Sequence, residues 1–163
     1  MSTAIPPRPR VVGVKRTINI VASQFNAQYV QGLVDHAVKE LQSISPTARV
    51  AVYQVPGAFE VPIVVQELAS HRECDAIIAV GVILKGKTGH ADNLARSVTS
   101  ALQQIALEHN IPVINAVLSL DNESQARERC LEEKINRGTE AAQAAVGIVN
   151  VMSELRAKDQ RHG

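Results

Sequence analysis

Residues 76–82 read Ala-Ile-Ile-Ala-Val-Gly-Val, and residues 112–118 read Pro-Val-Ile-Asn-Ala-Val-Leu. Nearly unbroken aliphatic runs of this length are typical of strands that are covered on both faces, as in a parallel sheet. Two further short aliphatic runs, Ile18–Ala22 and Val50–Val55, precede them in the chain. The four runs therefore predict a four-stranded parallel sheet with helices on both sides.

The stretches between these runs have helical spacing. From Val30 to Leu41, apolar residues recur every three or four positions, which indicates an amphipathic helix. The same reasoning predicts four more helices: Val61–Leu68, Ala91–Glu108, Glu123–Glu133 and Thr139–Leu155. Strands that alternate with helices indicate an α/β protein, a three-layer α/β/α sandwich with flavodoxin-like winding. In such folds, ligands bind just beyond the carboxyl ends of the strands.

The length of 163 residues fits one domain, which we expect to span residues 11–156. Residues 1–10 are rich in proline and arginine and predict a flexible N-terminal arm, while residues 157–163 are polar and predict a flexible C-terminal tail. The short segment Arg10–Val14 is a candidate extra edge strand, for this sheet or for that of a neighbouring subunit.

Charge and cysteine content argue against several classes of function. With 17 basic and 16 acidic side chains, the chain has no large basic field for a nucleic-acid backbone. No apolar stretch approaches the roughly 20 residues that span a bilayer, so we expect no membrane partner. Cys74 and Cys130 stand in no metal-ligand spacing, and two lone cysteines suit free thiols in a reducing cytoplasm. We therefore expect a cytoplasmic protein without a metal.

Lysines, glycines, a threonine and a histidine come together in the segment Gly81–His90, which reads Gly-Val-Ile-Leu-Lys-Gly-Lys-Thr-Gly-His. It follows a buried strand and precedes a helix, whose N-terminal N–H groups favour an anion. Lys87 and Thr88 add a charge and a hydroxyl donor, so we expect a phosphate-binding loop; the alternative is a glycine-rich turn with a capping threonine. His90 can give and take protons near neutral pH and is the candidate general acid and base, with Asp92 placed to fix its tautomer.

The same segment also satisfies the Gly-x-x-x-x-Gly-Lys-Thr pattern of a P-loop at Gly81–Thr88, and the aliphatic run that ends at Asp121 imitates a Walker B strand. A nucleotide-binding protein is therefore an alternative. The pattern's interior, Val82-Ile83-Leu84, is however typical of a strand that continues rather than of a loop that wraps a phosphate.

Aromatic residues are so few that their positions are informative: the chain has no tryptophan, two tyrosines and two phenylalanines. Phe25 and Phe59 both follow predicted strands, where a ring-stacking pocket and core packing remain equally open. Glu60 is next to Phe59 and either accepts hydrogen bonds from a polyhydroxy ligand or charges a helix N-terminus.

Taken together, these segments resemble the lumazine synthase family, which catalyses the penultimate step of riboflavin biosynthesis. The resemblance runs from about Thr17 to Leu155 and rests on these motifs: Phe25-Asn26, Val-Pro-Gly-Ala-Phe-Glu at 55–60, Asp75-Ala-Ile-Ile-Ala-Val-Gly, Gly86-x-Thr88-x-His90, Val117-Leu118, Gln125-Ala126-x-x-Arg129 and Asn136-Arg-Gly-x-Glu-Ala-Ala142. It implies the condensation of 5-amino-6-(ribitylamino)uracil with 3,4-dihydroxy-2-butanone 4-phosphate to 6,7-dimethyl-8-ribityllumazine, phosphate and water. It also implies that no metal or organic cofactor is used.

The resemblance implies where the two substrates bind. Phe25 would stack on the pyrimidine, the turn Ala58-Phe59-Glu60 would hold the ribityl chain, and the backbone of Val82 and Ile83 would meet the pyrimidine edge. His90 would shuttle protons.

The other implied positions involve the phosphate and a neighbouring subunit. Lys87 and Thr88 would bind phosphate together with Arg129 of the adjacent subunit. Arg137 falls where the family commonly has lysine, also across the interface, and Asn115 stands at a substrate-binding position that is often aromatic.

The resemblance further implies a homo-oligomer, a pentamer or a multiple of pentamers with active sites at subunit interfaces, and riboflavin synthase as a further partner. The sequence departs from the family pattern at Ala91 and Asn115, where aromatic residues are usual. A paralogue that keeps assembly and ligand binding but has little catalytic activity is therefore a third reading.

Overall fold

The computed structural model describes residues 6–9 and 15–163. Its strands and helices are, in chain order, β1 (Thr17–Ser23), α1 (Ala27–Ile44), β2 (Arg49–Val55), α2 (Val61–His71), β3 (Ala76–Leu84), α3 (His90–His109), β4 (Val113–Leu120), α4 (Glu123–Cys130) and α5 (Arg137–His162). A single 3-10 turn, Ala58–Glu60, leads into α2. The predicted edge strand Arg10–Val14 lies outside the described residues.

The four strands form one parallel sheet in the order β2-β1-β3-β4. This confirms the predicted three-layer sandwich, because the strand order 2-1-3-4 is that of flavodoxin-like folds. Both inner strands are almost completely buried, which explains why their sequences lack the alternation of polar and apolar residues.

Alternate residues of the sheet face two separate cores. Ile18 and Ile20 point to the layer of α1 and α5, and form a large aliphatic core with them. Val21 and Ile77 point to the layer of α2 and α3 and form the second core. Both cores are built almost without aromatic rings, so their stability depends on close packing of aliphatic side chains.

Two glycines allow the helices on one face of the sheet to approach closely. A Cβ atom at Gly138, in the first turn of α5, would overlap the carbonyl oxygen of Leu33 in α1. A Cβ atom at Gly32 would lie 2.5 Å from the carbonyl oxygen of Cys130 in α4. The Asn136 side chain fixes the start of α5 independently. Its oxygen accepts hydrogen bonds from the backbone N–H groups of Gly138, at 2.9 Å, and Thr139, at 3.1 Å.

Two helix ends differ from the sequence prediction. Helix α4 ends at Cys130 rather than Glu133, because the chain then turns so that the Asn136 amide can donate to the carbonyl of Glu132 at 2.9 Å. Helix α5 continues past Leu155 to His162, although residues 154–163 are exposed. Good helix formers in this segment and a hydrogen bond from the Arg156 guanidinium to the carbonyl of Asn110 account for the extension.

Both cysteines are buried free thiols, and burial raises the pKa of Cys74 and raises that of Cys130 to about 11.

None of the described helices is both long and apolar enough to cross a membrane.

Candidate active site

The carboxyl ends of all four strands meet at one edge of the sheet, and hydrogen bonds join the loops that follow them. The backbone N–H of Gln24 donates to the carbonyl of Val55 at 2.9 Å, linking the loops after β1 and β2. The side-chain amide of Asn26 donates to the carbonyl of Val82 at 2.7 Å, linking the loop after β1 to β3. Asn26 occupies the N-cap position of α1, but its side chain makes no cap hydrogen bond.

The loops after β1 and β2 bring an aromatic ring and a carboxylate together. A Cβ atom at Gly57 would lie 3.2 Å from the ring of Phe25 and 3.2 Å from the Oε2 atom of Glu60. The Phe25 side chain is nevertheless 71% exposed, so it is not part of the core. The sequence left open whether Phe25 packs in the core or stacks on a ligand ring. Its exposure argues against core packing and leaves the ring accessible beside an acceptor group.

Phe59 is also exposed, but its side chain has different neighbours. It lines a groove of about 370 Å³ between α2 and α3, together with Ile63, Val98 and Ile105. Phe59 and Ile63 are 70% and 66% exposed, so the groove presents apolar side chains to solvent. The structure therefore gives the two phenylalanines different surroundings.

Ala58, Ile83 and Ala91 form a small buried cluster at the same edge, with Val117 packed against it. Ala58 and Ile83 are candidate substrate-binding residues named from the sequence. Ala91 stands at a position where aromatic residues are usual in the family that the sequence resembles. The carbonyl of Val82 already accepts the Asn26 amide, so the backbone that was expected to meet a pyrimidine is partly occupied by the protein itself.

The predicted phosphate-binding loop, within Gly81–His90, lies open to solvent. Lys87 and Thr88 are exposed, and a Cβ atom at Gly86 or Gly89 would meet no atom within 4 Å. Residues 81–84 belong to strand β3, which argues against the P-loop reading, because a P-loop needs these residues to wrap around a phosphate rather than to continue the sheet.

His90 is the first residue of α3 and is exposed at the N-terminus of the helix, with Gly89 as the N-cap. Within residues 6–9 and 15–163, no hydrogen bond holds its ring. The expectation that Asp92 fixes its tautomer is not met, because no hydrogen bond joins the two side chains in the described part of the chain. The Asp92 carboxylate instead lies 3.9 Å from the ammonium of Lys85.

Lys85 makes its closest ion pair with Asp121, where Nζ and Oδ1 are 3.2 Å apart. The hydrogen bond and charge of Asp121 raise the pKa of Lys85, and the hydrogen bond from Lys85 lowers the pKa of Asp121. Sequence reasoning assigned Asp121 only to a Walker B strand and missed this pair. The information was present: each residue directly follows its strand, and β3 and β4 are neighbours, so the two side chains must emerge side by side.

Arg129 lies on α4 and is half-buried. Its Nε and Nη1 atoms are buried, and neither has a hydrogen-bond partner in the described part of the chain. Buried guanidinium N–H groups without an acceptor are costly. This arginine is therefore a candidate for binding an anion or a group from another subunit.

The remaining two candidates already have intramolecular partners. Arg137 begins α5 and its guanidinium pairs with Glu140, although its Nε atom is buried without a partner among the residues described. The Asn115 amide donates to the hydroxyl of Thr99 at 3.2 Å, and its carbonyl oxygen accepts from the backbone N–H of Val117. The structure does not bring either residue into the group around Phe25.

The candidate site thus combines an exposed ring, a carboxylate, a histidine and an open cationic loop at one edge of the sheet. Comparisons of the sequence with known proteins identify its family. The family model described as 6,7-dimethyl-8-ribityllumazine synthase matches residues 15–153. Proteins named 6,7-dimethyl-8-ribityllumazine synthase from Paraburkholderia phymatum and Thermobifida fusca are each 37% identical to this chain, over 93% and 100% of it and 87% and 96% of their own lengths. A protein of the same name from Burkholderia cenocepacia is 36% identical over 91% of this chain and 85% of its own. The chain therefore belongs to the 6,7-dimethyl-8-ribityllumazine synthase family.

Proposed function

We propose that this chain condenses 5-amino-6-(ribitylamino)uracil with 3,4-dihydroxy-2-butanone 4-phosphate at the carboxyl edge of its sheet, releasing 6,7-dimethyl-8-ribityllumazine, phosphate and water. The observation that carries the proposal is the exposed Phe25 ring held against Gly57 beside the Glu60 carboxylate. An aromatic face with a neighbouring acceptor suits a planar, polyhydroxylated substrate.

In this proposal, Phe25 stacks on the pyrimidine, and the turn Ala58–Glu60 binds the ribityl chain. The backbone at Val82 and Ile83 faces the pyrimidine edge, and the Ile83 side chain packs in a buried cluster with Ala58 and Ala91. Holding the two substrates together supplies much of the rate gain, because a bimolecular condensation becomes effectively unimolecular.

The phosphate of the butanone binds at Lys87 and Thr88, beside the N-terminus of α3. The helix dipole favours an anion at this position, and the open space above Gly86 and Gly89 admits one. Arg129 completes the subsite from an adjacent subunit, which would give its unpartnered guanidinium N–H groups an acceptor. His90, exposed beside this subsite, transfers protons during imine formation and phosphate elimination.

A homo-oligomer is part of the proposal, with the pentamer as its unit. Arg137 would then face a substrate across the subunit interface, while Asn115 stands at a substrate-binding position. The exposed apolar groove that contains Phe59 and Ile63 supports burial against a second copy. We further propose a cytoplasmic location, and riboflavin synthase as the enzyme that receives the product.

The weakly active paralogue remains a second candidate, favoured by one observation. Asn115 replaces a usual aromatic residue, and its amide is held by Thr99, so it offers no ring to the pyrimidine. Such a protein would bind the pyrimidine and assemble, but would form little product.

The experiment that tests both candidates mixes the purified chain with the two substrates and follows lumazine by absorbance against the uncatalysed background. Product well above background, lost in an Arg129→Ala variant, supports the enzyme. Binding of the pyrimidine without acceleration supports the paralogue. Native mass spectrometry of the same sample reports the number of subunits.

A further inference from the structure

We propose that Asp121 is a positioning residue that holds Lys85 across the base of the anion loop, so that Lys87, and not Lys85, meets the phosphate. This inference deepens the proposed function and rests on the phosphate subsite assigned there. It concerns the loop of residues 85–89, defined as the segment between β3 and α3.

The pairing follows from the register of the sheet. Leu84 and Leu120 are the last residues that pair between β3 and β4. The backbone N–H of Lys85 donates to the carbonyl of Leu120 at 2.9 Å, which continues the ladder by one more bond. Lys85 and Asp121 are therefore fixed side by side as the strands end, and their side chains meet at 3.2 Å.

The Asp121 carboxylate is itself oriented by the first turn of α4. Its Oδ2 atom accepts a hydrogen bond from the Gln125 side-chain amide at 3.2 Å, while the backbone N–H of Asp121 donates to the side-chain Oε1 atom of Gln125 at 2.9 Å. The Oδ1 atom thus remains for Lys85. Gln125 is held in turn, because its backbone N–H donates to the side chain of Asn122.

Lys85 also reaches the other end of the loop. Its Nζ atom lies 3.9 Å from the carboxylate of Asp92, in the first turn of α3. One ammonium group thus spans both ends of a segment that packing does not hold, since a Cβ at Gly86 or Gly89 would meet no neighbour. We infer that this bridge fixes the distance between strand β3 and the N-terminus of α3, where the phosphate binds.

Lys85 and Lys87 differ in the charged groups around them, and this difference separates their roles. Lys85 faces two carboxylates, and its pKa is raised, first by the hydrogen bond to Asp121. Lys87 makes no ion pair with any residue in the described ranges and is exposed. Of these two lysines, Lys87 is therefore the one that remains free for an incoming phosphate.

Substitution of Asp121 tests this assignment by whether the KM for the butanone phosphate rises or falls. If Asp121 acted only through its charge, Asp121→Asn would remove a negative group near the phosphate and lower the KM for the butanone phosphate. A positioning role predicts the opposite: an increase of about fivefold, the upper range for an exposed ion pair. The KM for the pyrimidine should change less than twofold, and Asp121→Glu, which retains the carboxylate, should keep both values close to those of the wild type.

The double variant with Lys85→Met completes the test. If Lys85 acts only through the bridge, Lys85→Met and Asp121→Asn raise the KM for the butanone phosphate by similar factors, and together they raise it no further. Glu67→Gln is the matched control: the substitution removes the same charge from an exposed carboxylate on α2, which lies 3.0 Å from the His71 ring. A lowered KM in Asp121→Asn, or additive effects in the double variant, would overturn the inference.

The inference also has a readout that does not need turnover. Titration with inorganic phosphate, followed by amide NMR shifts of Gly86 and Gly89, should show weaker binding in Asp121→Asn than in the wild type. If the wild type forms no lumazine, the proposed function fails, while this titration still decides the role of Asp121. Equal phosphate affinity in both proteins contradicts the positioning role.

Discussion

The side-chain amide of Asn26 donates a 2.7 Å hydrogen bond to the carbonyl oxygen of Val82, across 56 positions of the chain. Asn26 itself has a left-handed backbone, with φ of 56°. The residue therefore does two things: it turns the chain from β1 into α1, and it ties the Phe25 loop to strand β3.

Substitutions at Asn26 separate these two effects. Glycine accepts a left-handed backbone without strain but has no amide, whereas alanine lacks the amide and is strained. We expect Asn26→Gly to raise the KM for the pyrimidine about fivefold, since a hydrogen bond contributes ~1 kcal/mol. Asn26→Ala should do the same and also lower Tm. Steady-state kinetics and thermal unfolding measure both, and an unchanged KM in Asn26→Gly would show that the bond does not position Phe25.

Arg129 offers a test in which activity and stability diverge. Its buried Nε and Nη1 atoms have no partner in the described part of the chain, so Arg129→Ala removes no hydrogen bond of the free subunit, and we expect Tm to stay the same or rise. The KM for the butanone phosphate should increase roughly 10- to 100-fold, as expected for loss of a hydrogen bond between charged groups.

The neighbouring Arg127 is the control for this substitution. It lies on the same helix, is exposed, and carries the same charge. Arg127→Ala should leave the KM for the butanone phosphate within about twofold. Equal effects of the two substitutions would mean that only the overall charge of α4 matters.

The protonation chemistry of the site has a pH signature. The pKa of Asp121 is lowered, so the contribution of its ion pair is present above the ordinary carboxyl range and is lost only as pH falls below it. The pKa of Lys85 is raised, so its contribution is lost only as pH rises above the ordinary lysine range. Neither group changes charge between about pH 5.5 and 8.5.

His90 is the residue that we expect to transfer protons in the reaction. The kcat of His90→Asn should fall at least tenfold, since a general acid or base contributes about 100-fold or more. A kcat close to that of the wild type in steady-state kinetics would mean that the proton transfer belongs to a different residue.

The sequence predicted the parts of the fold that depend on local pattern and burial. The aliphatic runs at β3 and β4 and the helical spacing of α1 were sufficient for the sheet and its layers. The bond from Asn26 to Val82 was not predictable in this way, because it depends on how two distant loops meet. The different surroundings of Phe25 and Phe59 were missed for the same reason, since both simply follow strands in the sequence.

Two glycines on helix α5 give a paired prediction on stability. A Cβ atom at Gly138 would overlap the Leu33 carbonyl, which is backbone and not the end of a flexible side chain that could move aside. We expect Gly138→Ala to lower the free energy of unfolding by about 3 kcal/mol, the upper range for overpacking. A Cβ at Gly147 would meet no atom within 4 Å, so Gly147→Ala should raise it by ~0.5–1 kcal/mol through helix propensity. Urea unfolding at matched protein concentrations measures both, and equal responses would mean that α5 does not pack on α1 as closely as Gly138 and Leu33 indicate.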